Sequence, residues 1–322
     1  MKILIAPLNW GLGHASRCIP LIRQWLSEGH EVVLAGDGDS LILLRKHFPT
    51  LRYVYLAPLR LRYSAGRSQI WAMLKAIPRL IVWSVKDHLL LRAVLREESF
   101  DRVVSDNRFG LYTKETQCVY MTHQLLIRLP ERLQCFEPLT SRLHACIYTH
   151  YNMVWVPDFV DKERSLAGDL SHPITLDTQL STFNYLGPIS RFEASKYQNF
   201  EVSDLYDIVI VLSGLEPQRT LLEKELITRY SSRNESVLIV QGLVGRPNTR
   251  IKRGNITVLP HITDDELAPC LPHANHIIAR SGYSTIMDLY ALGVLDKAEL
   301  IPTPGQPEQE YLAQWISTRE SK

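Results

Sequence analysis

Residues 280–293, R-S-G-Y-S-T-I-M-D-L-Y-A-L-G, decide how this chain is read. They follow an apolar run, residues 276–279, that has the character of a buried strand, and they open a helix near Tyr283. A strand that turns straight into a helix presents main-chain N–H groups to an anion. The helix dipole adds roughly 0.3–1 kcal/mol for a negative group at that end. Gly282 removes the side chain that would block close approach, and Ser281, Ser284 and Thr285 offer hydroxyl donors, so a diphosphate fits. Asp288, one helical turn further on, is placed to accept both hydroxyls of a ribose. A second small-residue loop, P-T-P-G-Q-P-E-Q-E at 302–310, follows the apolar residues 299–301 and carries Gln306 and the adjacent Glu308 and Gln309. An acceptor-only carboxylate beside an amide suits sugar hydroxyls.

Outward from these loops, short apolar or β-branched runs recur along the chain. In the first half they fall at 3–6, 31–34, 53–56, 102–104, 119–121 and 153–156, and in the second at 208–212, 237–240, 256–259, 276–279 and 299–301. Helical patterns lie between many of them, clearest at 19–27 and 219–229. Strand and helix in alternation predict two doubly wound α/β domains, each with a parallel sheet. The expected division is an N-terminal domain at 1–186, a linker at 187–205 that holds Gly187, Pro188 and no sustained period, and a C-terminal domain at 206–322. In open α/β sheets ligands gather beyond the carboxyl ends of strands. Polar residues fall there repeatedly, at 9–14, Ser105, Asp106 and His123 in the first half and at Ser213, Gly214, Gln241, His261 and Ser281 in the second. Each has a plain reading as a turn residue, but their occurrence at strand ends in both halves marks two candidate ligand-binding edges.

Composition bounds what else the chain can be. With 322 residues, 45% hydrophobic and 22% charged, it is long enough for two ordinary cores. Five cysteines, Cys18, Cys118, Cys135, Cys146 and Cys270, are odd in number and form no C-x-x-C pair, so neither a disulfide framework nor a zinc site is predicted and a reducing, cytoplasmic location is expected. The apolar start is interrupted by Asn9, Trp10 and Gly11 and reads as a first strand instead of a signal peptide. No window approaches the ~18 uninterrupted apolar residues of a membrane span. Net charge is +2, with roughly five more basic than acidic groups in the first 186 residues and an acidic remainder. No nucleic-acid-binding motif accompanies this small excess, and a nucleic-acid partner is not expected.

The loop after the first strand, N-W-G-L-G-H-A-S-R-C-I-P, holds the leading catalytic candidate. Gly11 and Gly13 permit a tight turn, and His14 sits where the next helix begins. A histidine there removes a proton from a hydroxyl near neutral pH, or else simply packs or caps the helix start. Asp106, at the end of a strand in D-R-V-V-S-D-N-R-F-G, is placed either to orient and charge-stabilise His14 or to make a local turn. His123 and Gln124 stand at another strand end, on the acceptor side.

Taken together, the loops at 280–293 and 302–310 resemble the donor-binding signature of GT-B glycosyltransferases, in the group that includes glycosyltransferase family 28 and the UDP-glucuronosyltransferases. In that group an S-G-x-x-T-x-x-[ED] helix start takes the diphosphate and ribose, and a following [DE]-Q pair takes the donor sugar. The matching residues are Ser281, Gly282, Thr285, Asp288, Glu308 and Gln309, with Asp288 where Glu is usual. The G-x-G-H loop is likewise similar to the acceptor-side loop of the group, in which the histidine is often the general base. L-S-G-L-E-P-Q-R-T resembles the first loop of the donor domain, which implies that Ser213 and Gly214 approach phosphate and that Arg219 or Arg280 offsets charge on the leaving diphosphate. For each arginine a solvated charge or an ion pair is the competing reading. His261 and Ile262 match the place where the family reads the base through main-chain groups.

What the resemblance implies is an α/β protein of GT-B fold, two Rossmann-like doubly wound domains facing each other across a cleft. The implied reaction moves a sugar from a nucleotide diphosphate donor, a UDP-sugar, to a hydroxyl acceptor, inverting the anomeric centre, with His14 as base and neither metal nor cofactor. Asp37 and Asp39 form a D-x-D, which is the metal motif of the other large transferase fold, but they end the second strand and read as turn residues. Two alternatives stand: a nucleotide-sugar epimerase of related architecture, which needs further carboxylates around the sugar, and a sugar-nucleotide-binding protein without turnover. The second gains weight because the chain stops at Lys322, soon after the Q-P-E-Q-E loop, where the family continues with further helices.

The acceptor is less defined. Residues 60–102 interleave Trp71, Met73, Leu74, Ile77, Ile81, Trp83 and Leu89 with Arg60, Arg62, Arg67, Lys75, Arg79, Lys86, Arg92, Arg96 and Arg102. One reading is a basic amphipathic surface that rests on the anionic inner face of a membrane and meets a lipid-linked acceptor. The other is a helix packed on the sheet with a solvated basic face.

Overall fold

In the computed structural model the described residues are 1–59, 69–173, 182–192, 205–214 and 216–320, and of residues 69–76, 182 and 320 only the backbone is described. Arg60, Arg62, Arg67 and positions 193–204 of the expected linker lie outside the described residues, as do the side chains of Trp71, Met73, Leu74 and Lys75. The chain divides into two compact units, Met1–Asn9 with His14–Ile189, and Trp10–Gly13 with Ser190–Lys322.

The first unit is built on seven strands: β1 (Lys2–Pro7), β2 (Glu31–Gly36), β3 (Tyr53–Tyr55), β4 (Arg102–Asp106), β5 (Gln117–Met121), β6 (Met153–Val156) and β7 (Thr182–Tyr185). They form one sheet in the order β3-β2-β1-β4-β5-β6-β7, and every pairing is parallel. Strands such as K-I-L-I-A-P and E-V-V-L-A-G are apolar almost throughout because both faces of a parallel sheet are covered. The crossovers run through α1 (Gly13–Ser27), α2 (Gly38–His47), α3 (Gln69–Glu97) and α4 (Glu137–Tyr148). Leu91 of α3 and Ala145 and Tyr148 of α4 share one core with Leu4, Val33, Val103, Tyr120 and Val154, so these two helices cover the same face of the sheet.

Helix α1 starts at Gly13, six residues before the periodicity suggests, and runs through Pro20. Proline lacks the N–H for one helical bond, which is why the sequence pattern reads as a later start. Burial of Ala15, Cys18, Ile19, Ile22 and Trp25 holds the helix regardless. Trp25 also meets Trp155 of β6, with ring centroids 6.3 Å apart.

The second unit has six strands: β8 (Ile208–Val211), β9 (Val237–Val240), β10 (Ile251–Arg253), β11 (Ile256–Leu259), β12 (His276–Arg280) and β13 (Ala298–Ile301). Their order is β10-β11-β9-β8-β12-β13, parallel except for β10 against β11. Its helices are α5 (Gln218–Tyr230), α6 (Asp264–His273), α7 (Tyr283–Ala291) and α8 (Pro307–Glu320). Strand β10 is exposed along its length and has no apolar run, so nothing in its sequence announces it. In both sheets the strand order reverses once, between β1 and β4 and between β8 and β12, and at such a point two neighbouring strands send their connections apart and leave a crevice. His14 in the first turn of α1 and Asp106 at the end of β4 stand at the first reversal, and the loops after β8 and β12 carry Ser213, Gly214, Ser281 and Gly282.

Candidate active site

At the reversal in the first sheet, Pro7 of β1 pairs in register with Asp106 of β4, which brings the last residue of β4 beside the start of α1. There Nδ1 of His14 lies 2.8 Å from Oδ1 of Asp106. The aspartate is fully buried, whereas the imidazole keeps a 15% exposed side chain, so one end of the pair is fixed in the protein and the other reaches its surface. A third residue, which the sequence reading did not single out, completes the group. Arg17, 2% exposed, donates from Nε to Oδ2 of Asp106 at 2.7 Å and from Nη2 to Oδ1. Its Nη1 lies 3.1 Å from Nδ1 of His123. Burial by itself would raise the Asp106 carboxyl, but the charges of Arg17 and His14 and their hydrogen bonds hold it down at about 2. Cys18, 3.8 Å from Oδ2, has its thiol pushed well up by burial and by that carboxylate, and stays a thiol. The signal for Arg17 was spacing: it follows His14 by three residues and so shares its helix face.

Two residues past Asp106, a second buried network begins. Arg108 is wholly buried and bonds Asp87 of α3 through Nε and Nη2 at 2.8 and 2.9 Å, Asp37 through Nη1 at 2.8 Å, and the Ala57 carbonyl at 2.9 Å. Trp83 lies against it, the ring centroid 4.9 Å from the guanidinium carbon. Asp37, the first acid of the D-x-D, is thereby tied to a cation of the protein itself, and also accepts from Asn9 at 3.1 Å. Asn107, between Asp106 and Arg108, takes a left-handed φ of 57° and accepts from the Tyr120 hydroxyl at 3.0 Å. Gln124 is half-buried, its main-chain N–H bonded to Thr122.

In the second unit the first turn of α7 packs beside Gly13, where an added Cβ would run into Oγ of Ser284. Gly282 is the N-cap of α7, no side chain caps it, and no acid lies in its first turn. Gly282 has φ −74°, and a Cβ added there would meet nothing within 4 Å among the described residues, so neither its backbone geometry nor its packing against them demands a glycine. Ser284 and Thr285 are half-buried in the first turn, Ser213 is half-buried after β8, and Gly214 takes φ 98°. Arg280 ends β12 buried; it donates to the carbonyls of Pro302 at 2.9 Å and Gln218 at 3.0 Å, while its Nε has no partner among the described residues. Burial lowers its pKa. Arg219, by contrast, is held by Glu216 and Glu223, so its charge is already matched within α5 and the turn before it.

Several other predicted residues have partners inside the unit. Ser281 is fully buried and donates to the Gln309 carbonyl at 2.8 Å, and Gln309 accepts from the Thr303 N–H at 2.9 Å through Oε1. The first bond fastens the start of α8 to the end of β12, the second to the loop after β13. Gln306 and Glu308 are half-buried in the same loop and first turn. His261 and Ile262 are half-buried immediately before the Thr263–Glu266 capping box of α6. Asp288 is buried; its Oδ1 accepts from Ser190 at 2.7 Å and its Oδ2 from Arg191 at 3.1 Å, and Arg191 also pairs with Asp264 at 3.1 Å. Burial raises the Asp288 carboxyl against the opposing pull of Arg191 and Ser190. Ser190 and Arg191, which read as linker, therefore anchor that carboxylate, and a ribose would share it with them.

On the first unit, α3 and α4 carry apolar side chains on their solvent side. Ile77, Ile81, Val82, Val85 and Leu89 of α3 are exposed, Ile81 and Leu89 by 59% and 57%; so are Phe136, Leu139 and Leu143 before and on α4. Arg79, Lys86, Arg92, Arg96, Arg132 and Arg142 are exposed among them. Of the apolar residues named from sequence and described here, only Trp83 packs inward. Among the described residues no helix is long and apolar enough to cross a membrane.

No protein-family model matches the chain. It is 25% identical over 326 residues to an uncharacterized glycosyltransferase of Methanosarcina acetivorans, covering 96% of this chain and 82% of that protein. An uncharacterized glycosyltransferase of Methanosarcina mazei matches at 23% identity over 329 residues, with the same coverage. Among solved structures, Phytolacca americana UGT2 complexed with UDP-2fluoro-glucose and pterostilbene matches with a TM-score of 0.58 at 15% identity, over 99% of this chain and 83% of that one. A putative UDP-N-acetylglucosamine 2-epimerase from Listeria monocytogenes matches with a TM-score of 0.56 at 12% identity, over 99% and 89%. The chain has the GT-B fold, and these two sequence relatives, matched over 96% of the chain, are named as glycosyltransferases.

Proposed function

We propose that this chain, a glycosyltransferase of GT-B fold, moves a sugar from a UDP-sugar to a hydroxyl acceptor in one inverting displacement that needs no metal. The observation that carries this reading is the His14–Asp106 pair at the strand-order reversal of the first sheet. With Nδ1–H donated to the buried carboxylate, Nε2 holds the lone pair that takes the acceptor proton. The acceptor oxygen then bonds to the anomeric carbon as the bond from that carbon to the diphosphate oxygen breaks. The departing UDP is stabilised by the N-terminus of α7, by the Ser284 and Thr285 hydroxyls and by Arg280 in the second unit.

An epimerase shares the fold nearly as well, as the two TM-scores of 0.58 and 0.56 illustrate, so fold alone does not separate the chemistries. The sequence relatives favour transfer. Incubation with UDP-glucose and UDP-N-acetylglucosamine without acceptor separates the two: a transferase gives at most slow release of UDP, and an epimerase gives a new sugar nucleotide. Calorimetry is expected to register UDP-sugars, and His14→Ala is expected to spare that binding while lowering transfer 10²–10⁴-fold. Equal turnover by His14→Ala removes the histidine as base.

The outward apolar residues of α3 and α4, set among six exposed cations, favour an acceptor presented at an anionic lipid surface. Flotation with vesicles of phosphatidylglycerol is expected to carry the protein in a salt-sensitive way. Ile81→Asp/Leu89→Asp is expected to abolish that, and absence of flotation in the unsubstituted protein rules out the lipid surface.

A further inference from the structure

We infer that Arg17 is a positioning residue of this site, a single buried guanidinium that sets where the imidazole protons of both His14 and His123 reside. Guanidinium nitrogens only donate. Nη1 of Arg17 is 3.1 Å from Nδ1 of His123, so that nitrogen accepts and the His123 proton sits on Nε2. Nε and Nη2 grip both oxygens of Asp106, which cannot then rotate, and Oδ1 is presented to Nδ1 of His14 at 2.8 Å. Nη2 also lies 2.9 Å from His14 Nδ1; an ionised carboxylate is a stronger acceptor than a neutral imidazole nitrogen, so the Nδ1 proton of His14 is assigned to Oδ1. The two rings are thus set in opposite senses: His14 carries its proton on Nδ1 with its lone pair on Nε2, whereas His123 carries its proton on Nε2 with its lone pair on Nδ1. Lysine cannot replace this arrangement, because an ammonium group lacks the planar fork that reaches a carboxylate and an imidazole at once.

Proton placement is independent of the proposed reaction; only its kinetic consequence rests on His14 acting as base, so the two are read separately. The test uses long-range 1H–15N spectra of [15N]histidine-labelled protein, with His14 and His123 assigned through His14→Gln and His123→Gln. The unsubstituted protein is expected to show Nδ1–H for His14 and Nε2–H for His123. Arg17→Lys is expected to lose at least one of these states. Arg17→Met/Asp106→Asn removes both buried charges together, so no lone carboxylate opposes folding. It is expected to leave both His14 and His123 without a fixed tautomer, since the amide at 106 presents a donor as well as an acceptor to Nδ1 and no guanidinium faces His123. A His123 proton on Nδ1 in the unsubstituted protein, or an unchanged His123 pattern in both variants, overturns the inference. With UDP-glucose turnover as readout, Arg17→Lys is expected to lower kcat about 10–100-fold at a donor KM within about threefold, the cost of a misplaced catalytic group. A spectrum that shifts as described with kcat unchanged upholds the positioning and removes His14 as base.

Discussion

The two strand-order reversals solve opposite problems. In the first unit the polar residues are spent on one another: Asp106 answers Arg17 and His14, and Arg108 answers both Asp37 and Asp87 inside the protein. In the second unit the helix start at Gly282 has no side-chain cap, and Arg280 keeps an Nε without a partner among the described residues. Under the proposed function, the first arrangement fixes the angle and protonation of the reacting group before any substrate arrives. The second leaves donors for an anionic ligand, and binding is where their hydrogen bonds are completed. Substitutions in the first unit should therefore act on turnover, and those in the second on affinity.

The largest expected effect is that of Asp106→Asn: transfer falls about 10³–10⁴-fold with calorimetric UDP-sugar binding unchanged, as when the orienting carboxylate of a catalytic histidine is lost. A loss of binding instead would break the division of labour. The same carboxyl, held at about 2 against an unfolded value near 3.8, adds stability on the order of 2 kcal/mol that is present above about pH 4 and lost as pH falls through 2. Next is Arg108→Met, which leaves two buried carboxylates unmatched and should cost about 3–5 kcal/mol in urea unfolding.

His144, packed between Tyr120 and Tyr148, gives a smaller and pH-dependent effect. Burial lowers its pKa to about 4 from 6.5, so the unfolded chain binds the proton first. Its contribution is intact above pH 6.5 and declines by about 3 kcal/mol as pH falls to 4. His144→Gln should flatten that part of the stability profile. The smallest effect sharpens the comparison most. Gly282→Ser supplies a better N-cap and should raise stability by a few tenths of a kcal/mol, while its new side chain enters the space beside the helix start and weakens UDP-sugar binding about tenfold. Unaltered affinity would mean the diphosphate does not approach there.

Much of this was legible in sequence. Apolar runs reveal parallel strands because both sheet faces are covered, and the residues just after them reveal the binding edges. The pairing of His14 with Asp106 could be proposed because each stands at a strand end. Arg17 and Arg108 were not legible as buried, since a guanidinium is ordinarily solvated and only the three-dimensional meeting of β4, α3 and the turn after β2 supplies the carboxylates that let it leave water. Asp288 was read for its hydroxyl-accepting chemistry, but its partners Ser190 and Arg191 lie almost a hundred residues earlier. Residues 77–89 fit both a packed helix and an interfacial one in sequence, because side-chain exposure is set by tertiary packing; Ile77, Ile81, Val82, Val85 and Leu89 are exposed, and flotation decides between the two.

The turn at 105–108 has a consequence for how such proteins diverge. Asp106 and Arg108 serve different helices from one tight bend, with the left-handed Asn107 between them bonded to Tyr120. A one-residue insertion there would misdirect the carboxylate and the guanidinium together. Among descendants these positions should be inherited as a block with Arg17, Asp37 and Asp87, and sequence drift should accumulate around the block while its six members change jointly or stay.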